Sequence, residues 1–159
     1  MFWLASVHAQ EWTRFRGPNG SGTSKTAIPA KWTPDTYLWK IELPGTGHGS
    51  PVLWGMQVFL NAAQDDGRKR LVTSIDATSG KVLWTTPFES SKHKTHKHNS
   101  FATSTPTVDK ERVYSTWGHK GELRVVALDH NGKALWDRDL GGVTGGHGFG
   151  VSPIVHKDL

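Results

Sequence analysis

The chain has 159 residues, a net charge of +5 with its nine His counted neutral, and no Cys. That length holds one domain, the missing thiols exclude a disulfide scaffold, a cysteine nucleophile and any thiolate metal site, and no apolar run reaches the ~20 residues a membrane span needs. Eighteen Gly and eight Pro exclude long helices, and eight Trp against 21% charged residues exclude wholesale disorder.

Residues 1–10 open on an apolar stretch, Phe2 to Ala9, whose end Val7-His8-Ala9 has the small-x-small shape of a signal-peptidase site. This reads as the remnant of an export signal and predicts an extracytoplasmic protein, periplasmic or secreted. Residues 11–36 form an extended or loop segment. Its Gly17-Pro18-Asn19-Gly20-Ser21-Gly22 is a turn rather than a phosphate cradle, because no Lys-Ser/Thr pair follows. From residue 37 onward, short β-branched and aromatic runs alternate with Gly, Asp and Asn turns. A strand is predicted over Leu38 to Leu43. Four more follow at Pro51 to Trp54, Gln57 to Asn61, Leu71 to Ile75 and Lys81 to Thr85, and another four at Thr105 to Val108, Arg112 to Thr116, Leu123 to Leu128 and Lys133 to Asp137.

The two groups of four are copies of one unit. Ser50-Pro51-Val52 returns as Thr105-Pro106-Thr107-Val108 and as Ser152-Pro153-Ile154-Val155, with Pro spacings of 55 and 47. Independently, Ile75-Asp76-Ala77-Thr78-Ser79-Gly80-Lys81-Val82-Leu83-Trp84 returns as Leu128-Asp129-His130-Asn131-Gly132-Lys133-Ala134-Leu135-Trp136, and with Trp39 the Trp spacings are 45 and 52. Four antiparallel strands per ~50 residues is the signature of a β-propeller blade, an all-β unit that must pack against a neighbour to cover its faces. Asp76 and Asp129 cap the turns, Gly80 and Gly132 supply left-handed dihedrals, and Trp84 and Trp136 are large apolar plates suited to docking one blade on the next.

The stretch Asp76-x-x-Ser79-Gly80-Lys81-x-x-Trp84 resembles the tryptophan-docking motif of pyrroloquinoline-quinone-like (PQQ-like) β-propeller repeats, and Asp129 to Trp136 resembles it with one turn residue fewer. The opening Trp12-Thr13-Arg14-Phe15-Arg16-Gly17-Pro18-Asn19-Gly20 is similar to the start of exported, planctomycete-type members. The resemblance implies a ring of seven or eight blades over residues 37–159 and beyond. This chain would then be an amino-terminal fragment with two full blades, the first strand of a third, and a ring-closing strand at Leu38 to Leu43. Such an open arc exposes one whole sheet face and predicts marginal stability or self-association.

In a propeller the first strand of each blade lines the axis and the loop before it opens on one end. Pseudo-symmetry therefore brings His48, Asn99 and His147 to one mouth as candidate binding residues. His93, His96 and His98 are interleaved with Lys92, Lys94 and Lys97, cations that repel a metal, so this stretch reads as a solvated loop and no metal site is predicted. Arg68-Lys69-Arg70 is likewise a solvated charge run, and no nucleic-acid partner is predicted. The expected function is a non-catalytic binding or scaffold module for a protein, glycan or small ligand, with no cofactor. The alternative that the resemblance allows is a quinoprotein alcohol dehydrogenase-like oxidoreductase using PQQ and Ca²⁺. Those enzymes carry a Cys pair that this chain lacks.

Overall fold

The computed structural model describes residues 11–145 and 147–157. Val7-His8-Ala9 lies outside the described residues. The rest folds as two four-stranded antiparallel sheets, each a propeller blade. The first contains β1 (Val52–Trp54), β2 (Gln57–Gln64), β3 (Lys69–Asp76) and β4 (Val82–Glu89), in that spatial order. The second repeats it with β5 (Thr107–Val108), β6 (Arg112–His119), β7 (Glu122–Asp129) and β8 (Ala134–Asp139).

Two predicted strands do not form. Leu38 to Leu43 and Ser152 to Val155 join no ladder. A strand exists by its cross-strand hydrogen bonds, and the described residues offer neither segment a partner edge. Conversely, β2, β3 and β4 run further than their composition suggests. Ala62, Ala63 and Gln64 are poor strand formers, yet they pair in register with Leu71, Arg70 and Lys69.

Both sheets carry the same irregularity. Ser74 pairs with Trp84 while the next residue, Ile75, pairs with Val82; likewise Ala127 pairs with Trp136 and Leu128 with Ala134. One step on the inner strand thus faces two on the outer, leaving Leu83 and Leu135 as the extra residues of a bulge. The bulge sets the direction of the Trp that follows it. Trp84 Nε1 donates to His130 O of the second sheet at 2.8 Å, and its ring lies over Gly132, where a Cβ would come within 2.6 Å of Cδ2. Trp39 makes the same arrangement one blade earlier, donating to Ala77 O at 2.9 Å with its ring over Gly80. Gly80 and Gly132 have φ of +72° and +85°. Both the conformation and the close ring therefore require glycine.

The turn beneath each ring is fixed by its Asp. Asp76 Oδ1 accepts from the backbone N–H groups of Thr78 and Ser79 at 3.0 and 2.8 Å, and also from their hydroxyls; these bonds lower its pKa to about 2. Asp129 Oδ1 accepts from the N–H groups of Asn131 and Lys133, both at 2.9 Å. Trp136 sits at the matching place on β8, half-buried and tilted against Tyr114 with 6.1 Å between rings.

The core lies between the blades. Val52, Phe59, Val72 and Phe88 of the first sheet meet Val108, Val113, Trp117, Val126 and Leu128 of the second, with Trp54 and Trp84 packed against them. A buried polar link also crosses this interface: Asn61 donates through Nδ2 to Ser104 O at 2.9 Å and accepts from Ser115 Oγ at 2.8 Å. The amino-terminal segment seals the inner edge. Trp12 and Leu53 exchange N–H···O bonds at 3.0 and 2.9 Å, and Val108 N–H donates to Thr13 O at 2.8 Å. The Glu11 carboxylate accepts from Gly55 N–H at 3.0 Å.

Candidate functional site

Pro is tolerated at the entry to an innermost strand because that position need not donate to a ladder. The residue before it does donate. Ser50 N–H reaches Thr105 Oγ1 at 3.0 Å, and Thr105 N–H reaches Ser152 Oγ at 2.9 Å. The hydroxyls of the second and third Ser/Thr-Pro pairs thus accept from the amide of the preceding repeat. This explains why Ser or Thr, and not an apolar β-former, precedes those Pro residues. The three strand entries are held side by side at one end of the molecule.

Above this row lie the connections that carry the predicted residues. His48 N–H donates to Ala102 O and to Ser100 Oγ, each at 3.0 Å, and Gly49 N–H donates to Ala102 O at 3.0 Å. The backbones approach so closely that a Cβ on Gly47 or Gly49 would lie 2.8 Å from Ala102 O or 2.5 Å from Ser104 O. The glycines flanking His48 serve this approach, and the imidazole itself is exposed. Asn99 Nδ2 donates to His147 O at 2.6 Å, and its Oδ1 accepts from Ser100 N–H at 2.8 Å. Asn99 and His147 are therefore in direct contact, while His48 belongs to the neighbouring loop and reaches them through Ser100.

Two groups of imidazoles adjoin these residues. His96 lies with its ring 5.0 Å from that of His147 and 5.4 Å from that of His98. Among the described residues no three His, Asp or Glu side chains are arranged to hold a metal ion. Deeper between the blades, His93 stacks on His119 at 4.4 Å and meets Phe101 edge-on at 5.0 Å. His119 Nε2 lies 2.9 Å from Glu122 Oε2, which also accepts from Ser90 Oγ at 2.6 Å. Burial pushes the His93 pKa down, with the Arg70 guanidinium and His119 acting in the same direction. Buried Arg70 donates to Phe101 O. Burial lowers its pKa to about 10, so it stays cationic at neutral pH, with Glu122 opposing the shift.

Sequence reasoning missed this second group. One part of it was signalled: the two-residue turn Lys120-Gly121 places His119 directly opposite Glu122 in the β6–β7 register. The contact with His93 has no such signal, because it depends on the path of an irregular connection.

The two larger clefts lie elsewhere. One, of about 560 Å³, separates the Tyr37–Leu43 segment from Val58, Leu60 and Ile75 on the outer face of the first sheet. The other, of about 880 Å³, covers the open face of the second sheet around Tyr114, Val125, Trp136 and Ile154. Neither includes His48, Asn99 or His147. Both are sheet faces rather than enclosed sites. No helix among the described residues is long and apolar enough to cross a membrane.

A search of curated proteins gives no match. Among solved structures, the chain is similar to BamB from Moraxella catarrhalis, with 20% identity and a TM-score of 0.49 over 74% of this chain and 34% of that one. It thus spans about a third of the length of that protein. The family described as outer membrane protein assembly factor BamB matches residues 33–159. With four-fifths of the chain inside that match, and with two sheets built on one PQQ-like repeat, the protein belongs to this family.

Proposed function

We propose that this chain contributes the mouth of a non-catalytic propeller that serves as an extracytoplasmic binding or scaffold module, with the loops of His48, Asn99 and His147 as its contact face. The observation that carries this reading is lateral locking of the loops. The Ser50–Thr105–Ser152 row and the Asn99–His147 bond hold three separate connections at one end. A rigid scaffold presenting irregular loops is the usual construction of a recognition surface. Membership of a family named for outer membrane assembly supports both a protein partner and a location outside the cytoplasm. We further propose that the blades dock through Trp84 on the Asp129–Gly132 turn, and that Trp136 serves the same purpose toward a further blade with Asp76, Gly80, Asp129 and Gly132 as the turn-forming residues.

A quinone enzyme is the poorer reading on chemical grounds. Calcium is held by oxygen ligands, chiefly carboxylates, and residues 44–50, 90–104 and 140–151 contain none. Added PQQ and Ca²⁺ are therefore expected to leave no quinone absorbance on the protein after gel filtration. A retained spectrum with dye-linked alcohol oxidation would overturn the non-catalytic assignment.

The contact face is testable because the chain has no Cys. A photo-crosslinker on His48→Cys is expected to give a saturable adduct in an envelope fraction, competed by unlabelled chain. The same label on Lys31→Cys, exposed but distant in sequence from these loops, is expected to give none. Equal yields from both positions would refute the assignment.

A further inference from the structure

The charge at the mouth is one-sided. The connections that enter the innermost strands, residues 44–50, 90–104 and 140–151, hold three Lys and five His but none of the 14 Asp and Glu in the chain. Lys92 is taken by Asp66 of the β2–β3 turn at 2.7 Å. Lys94 and Lys97 are exposed and have no ion-pair partner among the described residues. His48, His98 and His147 are exposed, and His96 lies between His98 and His147. Of the acids nearby, Asp65 is engaged by Lys69 at 3.5 Å, Asp66 by Lys92, and Glu122 by His119 and Arg124, while Glu42 and Glu89, at the outer ends of these connections, are exposed.

We propose that the mouth binds a carboxylate-rich peptide segment of a partner protein through Lys94, Lys97 and the imidazoles of His48, His96, His98 and His147. The proposal rests on the reading of these loops as the contact face. The ammonium groups of Lys94 and Lys97 have no acid within residues 44–50, 90–104 or 140–151 to offset them. The groups facing these rings are few. His96 faces His98 and His147, and the His48 backbone meets only Ser100 and Ala102. His93, half-buried, faces Arg70, His119 and Glu122 instead.

A peptide fits this surface better than a nucleic acid. Binding of single strands uses aromatic plates on which bases stack, supported by Arg. The three connections contain no Arg. Their aromatic residues are engaged, Phe101 against His93 and Arg70, and Phe149 beside Gly118. What remains is ammonium groups and imidazole rings, whose N–H donors suit dispersed carboxylates.

The test is fluorescence anisotropy of a short labelled polyglutamate with the full chain at low salt. Affinity for polyglutamate is expected to exceed that for polyglutamine of the same length. It is expected to fall by about tenfold for Lys94→Glu with Lys97→Glu, as for two exposed ion pairs. Lys25→Glu with Lys31→Glu makes the same change in net charge elsewhere and is expected to leave affinity unchanged; circular dichroism checks that both variants are folded. An oligothymidylate bound as tightly as polyglutamate, with the same sensitivity to the mouth substitutions, would overturn the peptide assignment. So would equal or tighter binding of polyglutamine. Absent polyglutamate binding with retained cross-linking from position 48 would sink this proposal alone. Loss of the cross-link as well would sink the contact face with it.

Discussion

Trp84 and Trp136 occupy the same position in successive repeats, and among the described residues only Trp84 of the two has a turn beneath it. Trp84→Ala removes the bond to His130 O, the ring contact with Gly132 and the tilted contact with Phe59 at 5.9 Å. A fully buried Trp→Ala change costs about 3–5 kcal/mol. Trp84 is half-buried, so about 3 kcal/mol is expected, of which the hydrogen bond supplies about 1. Trp136→Ala removes little beyond the contact with Tyr114 and is expected to cost about 1 kcal/mol or less. Gly132→Ala forces a Cβ into the Trp84 ring and into a left-handed conformation. In a Trp84→Ala background only the dihedral penalty of about 1 kcal/mol remains, so the two substitutions are expected to be strongly non-additive. Urea unfolding followed by far-ultraviolet circular dichroism measures all four variants without relying on the indoles removed. Equal losses at Trp84 and Trp136, or simple additivity of Trp84→Ala with Gly132→Ala, would refute docking as the source of the stabilisation.

Thr105→Val keeps the shape of the strand entry but removes the acceptor of Ser50 N–H; a loss of about 1–3 kcal/mol is expected, largely restored by Thr105→Ser, as read from unfolding and from hydrogen exchange at the Ser50 amide. The folded-state pKa of His93 is lowered by burial. Its contribution is therefore complete above the ordinary value near 6.5 and is lost as pH falls through the lower folded value. His93→Phe should flatten the acid side of the stability profile, and an unchanged profile would contradict this. The open face of the second sheet, with Ile154 62% exposed beside Tyr114 and Val125, is expected to cause concentration-dependent association in sedimentation velocity. Tyr114→Lys with Ile154→Lys should shift the chain toward monomer.

The blades were legible because their determinants are local and repeated. A Ser/Thr-Pro entry, an Asp-capped turn with Gly at positive φ and a Trp after it each act within a few residues. Two copies at nearly one spacing separate this signal from chance. Strand ends were less legible, since Ala62 to Gln64 extend β2 only because Lys69 to Leu71 lie opposite. The Leu38 to Leu43 strand failed for the converse reason: its composition favours a strand and no neighbouring edge receives it. At the mouth, pseudo-symmetry brought three loops together. The Asn99–His147 bond and the His93–His119 stack were invisible, because they depend on the irregular course of residues 90–104 rather than on any period.

The segment around Trp12 has a consequence of a different kind. The innermost strand of a blade bares a row of main-chain groups toward the axis, and such a row will accept any extended polypeptide that reaches it. Here Trp12, Thr13 and Glu11 occupy the donor and acceptor of Leu53, the N–H of Val108 and the N–H of Gly55. Proteolytic trimming past Thr13 would unzip this seal and leave an adhesive seam running between the two sheets, open to strand addition from another molecule.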